Sequence, residues 1–217
     1  MKNLFYKERK LAASPLSRLF VAAAFLAFVP GYPILLGAFF TTLGIFYSFQ
    51  TMRENHDLQY SLLLPVSKSE IVRGKYAFCV YIELCSFCLM TLITLIRMLL
   101  LKDAAVYTAN ALMCANLSFL GFALLIFGLF NAVFVGGFFK TAYYFAKPFI
   151  AYCALSLLTI AAAETLHHLP GLEALNAFGF EQPLLQSGVL CFGLASFAAL
   201  TLLSRKRAER ALENVDL

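Results

Sequence analysis

Long, uninterrupted apolar tracts constrain this chain more than any other feature. Several reach the length of about 20 residues that an α-helix needs to cross the hydrocarbon core of a bilayer. Apolar residues follow one another in these tracts and do not alternate with polar ones. Hydrophobic residues make up 61% of the 217 residues and charged residues 13%, which leaves too little polar surface for a soluble globule. The sequence therefore predicts an all-α integral membrane protein, not a barrel of strands.

Six transmembrane helices are predicted. The tract at residues 19–49 is too long for one crossing, and the stretch PGYP at residues 30–33 favours a turn inside it. The fourth predicted helix is longer than one crossing requires, so we expect a tilt, a break or an extension beyond the bilayer. The bounds are about 15–29, 34–50, 76–101, 106–136, 148–163 and 184–203.

The basic residues are distributed unevenly along the chain. Of the 17 Lys and Arg residues, all but Arg97 and Lys102 fall in the predicted tails and loops of one side. Since Lys and Arg gather on the cytoplasmic side, both termini are expected there. The N-terminus is too charged for a signal peptide and is expected to stay in the mature protein. The prediction is one transmembrane domain, 1–217, with a cytoplasmic amphipathic segment at 1–14, a cytoplasmic loop at 51–75, an outer segment at 164–183 and a cytoplasmic tail at 204–217.

The sequence offers no catalytic motif. A phosphate-binding loop of the form G-x-x-x-x-G-K-[ST] is missing, and the stretch GGFFKT at residues 136–141 has phenylalanines where the loop needs glycine. Glu164, His167 and His168 lack the spacing of a zinc site. We therefore predict no catalytic residue, no metal and no cofactor on this chain.

A few polar residues lie within the predicted transmembrane helices. Glu83 could pair with Lys140 or Lys147 from a neighbouring helix, or line a substrate path, because a charge in lipid normally faces protein or water. Arg97, near the outer end of its helix, is expected to extend its charge to the interface. The candidates for pathway lining or intramembrane pairing are Glu83, Asn110, Asn116 and Asn131.

The stretch LLLPVSKSEIVRGKY, residues 62–76, interrupts the apolar tracts. Ser67 and Glu70 have the S-x-x-E spacing of a capping box, which predicts a short helix beginning near Ser67. Its basic residues oppose an apolar side formed by Val66, Ile71 and Val72. Such a helix either rests on anionic lipid or docks on a cytoplasmic partner.

This stretch, preceded by RENHDLQYSL, resembles the first cytoplasmic loop of small six-span permeases of type-2 ATP-binding-cassette exporters. Permeases of phenol-soluble-modulin and bacteriocin-type peptide exporters are similar. The matching residues are Leu64, Pro65, Val66, Ser67, Lys68, Glu70, Ile71, Val72, Lys75 and Tyr76.

The resemblance implies a permease in the bacterial plasma membrane that forms the path for an amphipathic peptide, lipid or drug. ATP and Mg would bind a separate ATPase, present in two copies with two permeases, identical or related. The outer segment would form a re-entrant hairpin or lie at the interface, and no nucleic acid is involved. The coupling helix that contacts the ATPase would comprise Leu64, Pro65, Val66, Ser67, Lys68, Glu70, Ile71, Val72 and Arg73.

Two other classes of function stay open. A channel or ion-coupled carrier would need polar residues from several helices along one path, and Glu83 alone clearly qualifies. A non-transporting scaffold or immunity-type membrane protein would need no ATPase.

The distribution of basic residues yields a test of topology. Reporter fusions should place both termini and the loop at 51–75 in the cytoplasm and residues 166–180 outside, because moving the basic loops across the membrane is unfavourable. An odd number of crossings would contradict this arrangement.

Overall fold

The computed structural model describes residues 2–108, 111–141, 144–178 and 182–214, and the regular structure in these ranges is helical. The α-helices are α1 Lys2–Lys7, α2 Pro15–Leu19, α3 Leu36–Glu54, α4 Asp57–Leu62, α5 Lys68–Leu100, α6 Ala105–Thr108, α7 Leu117–Leu129, α8 Gly136–Thr141, α9 Ala146–Leu166 and α10 Pro183–Glu213. Two π-helical segments, Glu8–Ala12 and Phe130–Val135, and two 3₁₀ segments, Phe20–Phe28 and Glu173–Asn176, complete the set.

The N-terminal region forms an elbow. The axes of Asn3–Ala12 and Pro15–Phe28 are bent by 97°. The bend occurs at Ser14, whose hydroxyl accepts a hydrogen bond from the backbone N–H of Leu16 at 3.3 Å and so caps α2. A 3₁₀ helix rises about 2 Å per residue, so its nine-residue stretch extends Pro15–Phe28 to about 25 Å.

A turn follows, as the sequence predicted from its two prolines. Gly31 has a φ of +72°, a left-handed conformation that a side chain would strain. The chain then reverses into α3, which runs back along Phe20–Phe28. The two segments approach closely at Gly37, where an added Cβ would lie 2.8 Å from the carbonyl oxygen of Ala23.

The long helices alternate in direction. Ser86 of α5 contacts Thr41 near the start of α3 at 2.8 Å, whereas Lys75 of α5 reaches Met52 near the end of α3 at 3.0 Å. α3 and α5 are therefore antiparallel. α9 is likewise antiparallel to α3, because Thr42 contacts Tyr152 and Arg53 lies over the ring of Phe145.

The helix ends consequently form two groups. We call the group containing the end of α3, the start of α5, the end of α8, the start of α9 and the end of α10 the basic end, since most Lys and Arg residues lie there. The first arm of the N-terminal elbow and the described part of the C-terminal tail also lie at this end, because Lys7 pairs with Asp57 and Lys68 donates to the carbonyl of Glu213. Assignment of the basic end to the cytoplasm stays a prediction.

α7 and α10 are parallel and nearly touch through their backbones. An added Cβ at Gly121 would lie 2.5 Å from the carbonyl oxygen of Val189, and one at Gly128 would lie 3.0 Å from the Cα of Phe197. Gly136 approaches Ser204 in the same register. Since lipid provides no hydrophobic force between helices, this close approach of small residues supplies the van der Waals contact that joins them.

An aromatic cluster fills the space between α3, α9 and the second π-helical segment. The rings of Phe46 and Phe149 stack with centroids 3.8 Å apart, and Phe134 meets both of them edge-on. Phenylalanine therefore serves here as packing inside the bundle as well as surface facing lipid.

Four helices in the described residues are long and apolar enough to cross a membrane, or five if the elbow counts as one broken span. They are Lys68–Leu100, Leu117–Thr141, Ala146–Leu166 and Pro183–Glu213. α3 has 19 residues but includes polar residues along its length, and it is not among them. The protein is thus a multi-pass membrane protein, while the count of six stays a prediction.

Three predicted helix bounds differ from the structure. α5 begins at Lys68 rather than near residue 76, and α10 continues to Glu213 instead of ending near residue 203. The long fourth helix is divided, because α7 begins only at Leu117, after α6 and a non-helical segment. Its predicted excess length is explained by this break.

The glycine contact between α7 and α10 gives a stability prediction. Gly121→Ala should lower the melting temperature in detergent, because its Cβ would collide with the Val189 carbonyl. Gly188→Ala is the matched control: its Cβ meets nothing within 4 Å, and alanine favours a helix by about 1 kcal/mol over glycine. Equal melting temperatures for the two variants would contradict the close approach.

Candidate functional site

The connection between α3 and α5 is compact. α3 ends at Glu54, and His56 adopts a left-handed backbone with a φ of 52°, which redirects the chain into α4. Residues 63–66 then lead to Ser67. This connection holds the motif that the sequence singled out.

The predicted capping box is confirmed. The Ser67 hydroxyl accepts from the N–H of Glu70 at 3.2 Å, and the Glu70 carboxylate accepts from the N–H of Ser67 at 3.1 Å. The helix it starts is not short, however, because Lys68–Leu100 continues without interruption into the membrane-spanning part. The separate short helix of the loop is α4, which lies before the motif. Asp57 in its first turn was the available sequence signal.

The motif residues lie on two different faces. Leu64, Pro65, Ser67 and Arg73 are exposed, and Val66, Lys68 and Glu70 are half-buried. Ile71 and Val72, by contrast, belong to the core and are 1% and 0% exposed. The expectation that Ile71 contacts a partner is therefore wrong, because its side chain packs in the core of this chain. The exposed apolar residues of the loop are Tyr60, Leu63 and Leu64.

A buried ion cluster fixes this loop to the N-terminal elbow. The fully buried ammonium of Lys75 lies 3.1 Å from the Glu8 carboxylate and 2.8 Å from the Asp57 carboxylate. Lys7 completes the cluster at 2.7 Å from Asp57 and 3.3 Å from Glu8. Two cations thus neutralise two carboxylates, which a buried charge requires. Sequence reasoning missed the cluster because nothing local indicates that residue 8 meets residues 57 and 75.

The Asp57 carboxyl shows the balance of forces in the cluster. Burial alone raises its pKa, but the attraction of Lys75 and the hydrogen bonds from Lys7 and Lys75 outweigh burial, so its pKa lies below the ordinary value. Its stabilising contribution is therefore complete above the unfolded pKa of about 4 and is lost as the pH falls through the lowered pKa.

The C-terminal tail closes the other side of the loop. Arg73 donates from Nε and from one terminal nitrogen to the two carboxylate oxygens of Glu209, at 2.9 and 3.2 Å. Ala208 and Leu212 of the same helix are buried. The predicted tail is thus, in its described part, a continuation of α10 that packs on the start of α5.

A second polar site lies inside the bundle. Glu83 is fully buried and accepts a hydrogen bond from the side-chain amide of Asn131 at 2.8 Å. It does not pair with Lys140 or Lys147, as one reading of the sequence expected, because both lysines are exposed at the basic end. Glu83 Oε1 and Asn131 Oδ1 have no hydrogen-bond partner among the described residues.

This Glu83 site links three helices. The Asn131 amide also donates to the Thr201 hydroxyl at 3.1 Å, and the Tyr76 hydroxyl donates to the Asn131 carbonyl at 3.2 Å. Asn131 belongs to the π-helical segment Phe130–Val135, and such segments are common at functional sites. A relative movement of α5, the π-helical segment and α10 would therefore change the lengths of these hydrogen bonds.

The other two asparagines do not join Glu83. Asn116 caps α7 and donates to the Leu175 carbonyl at 2.7 Å, at the opposite end of the bundle. Asn110 lies outside the described residues. The described outer segment contains the 3₁₀ turn Glu173–Asn176, which packs against residues 112–116.

Arg97 does not extend to the interface, so that expectation is wrong. Its side chain is buried, donates to the carbonyl of Ala27 at 2.7 Å and lies 4.1 Å from the ring centroid of Tyr107. The Tyr107 hydroxyl donates to the carbonyl of Phe28. Free carbonyls at the end of the 3₁₀ segment retain the arginine because they need a donor.

No group of three or more metal-binding side chains occurs in the part of the chain that the structure describes. The structure instead combines apolar spanning helices, an α3–α5 connection that is held by buried ion pairs at the basic end, and a buried polar link between helices. A family model described as ABC-2 family transporter protein matches residues 2–205. The chain belongs to this family. It is accordingly the membrane permease component of an ABC transporter. No curated protein and no solved structure matches the chain.

The ion cluster of this ABC-2 permease yields a prediction. Lys75→Met should destabilise the protein by about 3–5 kcal/mol, since it leaves Glu8 and Asp57 buried without their central cation. Arg73→Met removes a cation two positions along the same helix, from the partly exposed pair of Arg73 with Glu209, and should destabilise the protein much less. Detergent melting of both variants tests this, and a Lys75→Met variant as stable as Arg73→Met would refute the cluster's role.

Proposed function

We propose that the chain is the permease of an ABC exporter whose ATPase docks on the exposed side of the α3–α5 connection. The observation that carries this is the group Tyr60, Leu63 and Leu64, which is exposed at the basic end although each side chain is large and apolar. Leu63 is 82% exposed. Such a patch outside the apolar span is typical of a binding surface.

The mounting of this patch supports a role in coupling. The Lys75 cluster anchors the connection on one side, and the pair of Arg73 with Glu209 anchors it on the other. The capping box joins it directly to α5. A push on the patch would therefore move α5 as a body, which suits rigid-body exchange between inward-open and outward-closed states.

The remaining features of the proposal follow from the family and the sequence. Six spans with cytoplasmic termini would accommodate the basic end inside the cell. Two permeases, identical or related, and two ATPases that hold ATP and Mg would form the complex in the bacterial plasma membrane. The exposed apolar faces of α9 and α10 are surfaces that a second permease could contact. The substrate would be an amphipathic peptide, lipid or drug, and a peptide is the substrate in the exporters of phenol-soluble modulins that the loop resembles.

A channel or ion-coupled carrier is the weaker proposal. In the described spans Glu83 is the one buried carboxylate at mid-bundle, and it is held by Asn131 rather than facing an open path. A path through a single permease would require a series of such groups.

The docking surface can be tested with exposed residues. The full-length permease is purified with the ATPase that accompanies it, identified by its phosphate-binding loop and ABC signature. Leu63→Asp combined with Leu64→Asp should reduce ATPase retention at least about tenfold, because two charges would be desolvated without partners. Ile71→Asp is unsuitable, since it would place a charge in the core.

Leu169→Asp is the matched control, because Leu169 is an exposed leucine at the opposite end of the bundle. It should leave ATPase retention, hydrolysis and export unchanged. The permease alone should not hydrolyse ATP. Normal ATPase retention by the Leu63/Leu64 variant at normal membrane levels would refute the docking surface, and saturable hydrolysis by the isolated permease would refute the division of labour.

A further inference from the structure

A groove lies between α7–α8 and α10 at the basic end. Its volume is about 700 Å³, within the range of small-molecule sites. Val133, Leu200 and Leu203 form an apolar wall, while Lys140, Arg207 and Arg210 surround one end. Gly136 and Gly137 form part of the lining.

Among the described residues, the charged end of this groove has no counter-charge: none of its described lining residues is acidic, and no described carboxylate forms an ion pair with Lys140, Arg207 or Arg210. The carboxylate of Glu209, on the same helix, is directed to Arg73 and Arg205 instead. Three cations around a single opening favour an anion with several acceptor oxygens, and arginine binds phosphate especially well.

The depth of the groove decides what kind of anion fits. Because α7–α8 and α10 are parallel and Gly136 lies opposite Ser204, the apolar run that ends at Phe139 and the one that ends at Leu203 stop within about one helical turn of each other. Lys140 and Arg207 therefore lie where lipid phosphates lie, at the edge of the hydrocarbon. Leu203, which lines the groove, is 54% exposed, so the groove is open on the side that faces the membrane.

We propose that this groove binds an anionic glycerophospholipid, with its phosphate among Lys140, Arg207 and Arg210 and an acyl chain along Val133, Leu200 and Leu203. The lipid would bridge the ends of α8 and α10, beyond the glycine contact between α7 and α10. Its headgroup would lie beside the end of α10, which packs on the start of α5. This inference is independent of ATPase docking.

Native mass spectrometry of the full-length protein, with any partner that stays bound, tests the site. Dioleoyl phosphatidylglycerol should bind at about tenfold lower concentration than dioleoyl phosphatidylcholine, since each basic residue near a phosphate adds to the affinity. The variant Lys140→Gln/Arg207→Gln/Arg210→Gln should lose this preference. Lys102→Gln/Lys147→Gln/Lys206→Gln removes the same charge at exposed lysines outside the groove and should keep it.

Further arms separate the alternatives. Arg207→Lys retains the charge and should retain most of the preference, and the single variants Arg207→Gln and Arg210→Gln should each weaken it even if the triple variant proves unstable. Equal loss in the two triple variants would overturn the site, because charge alone would then explain it. Displacement of phosphatidylglycerol by millimolar inorganic phosphate would also overturn it, because the groove would then be a free-anion site.

Discussion

The ammonium group of Lys75 lies inside the protein, within hydrogen-bond distance of two carboxylates and a methionine sulfur. A charge at that depth is tolerated only when its partners come with it, and here the partners come from three separate segments of the chain. Glu8 requires the N-terminal elbow to fold back onto α5, and Asp57 requires α4 to follow the left-handed turn at His56. The placement of the N-terminal elbow and of α4 against α5 therefore depends on neutralising one buried cation.

At the opposite end the same rule operates through backbone carbonyls. The 3₁₀ segment Phe20–Phe28 ends with carbonyls that have no helical partner, and Arg97 and Tyr107 supply the donors. The elbow is thus fixed at both of its ends by residues of other segments. Between them, glycines let neighbouring backbones approach until no side chain would fit. Polar partners thus fix the two ends of the elbow, while close backbone contact at glycines and the hydrogen bonds of Glu83 and Asn131 join the helices between them.

Features that depend on local residue order could be predicted from the sequence. The apolar tracts predicted helices, the prolines at 30 and 33 predicted the turn, and Ser67 with Glu70 predicted the capping box, because each depends on neighbours within a few residues. The face of Ile71 could not be predicted, since an apolar side fits a partner as well as the chain's own core. The partner of Glu83 could not be predicted either. Lys140 and Lys147 were proposed because of their charge, whereas the fold brings the side-chain amide of Asn131 to Glu83.

α5 runs as one helix of 33 residues from the capping box to Leu100. At 1.5 Å per residue it is about 50 Å long, well beyond the about 30 Å of the hydrocarbon core. It carries Lys75 near one end, Glu83 at intermediate depth and Arg97 near the other, with no proline between them. A continuous helix of this kind has no proline kink at which a displacement of one end could be absorbed. A tilt that moves its Leu100 end by a few ångströms would lengthen the contact of Arg97 with Ala27 and so displace the elbow. The two ends of α5 therefore move together, as the arms of a lever do.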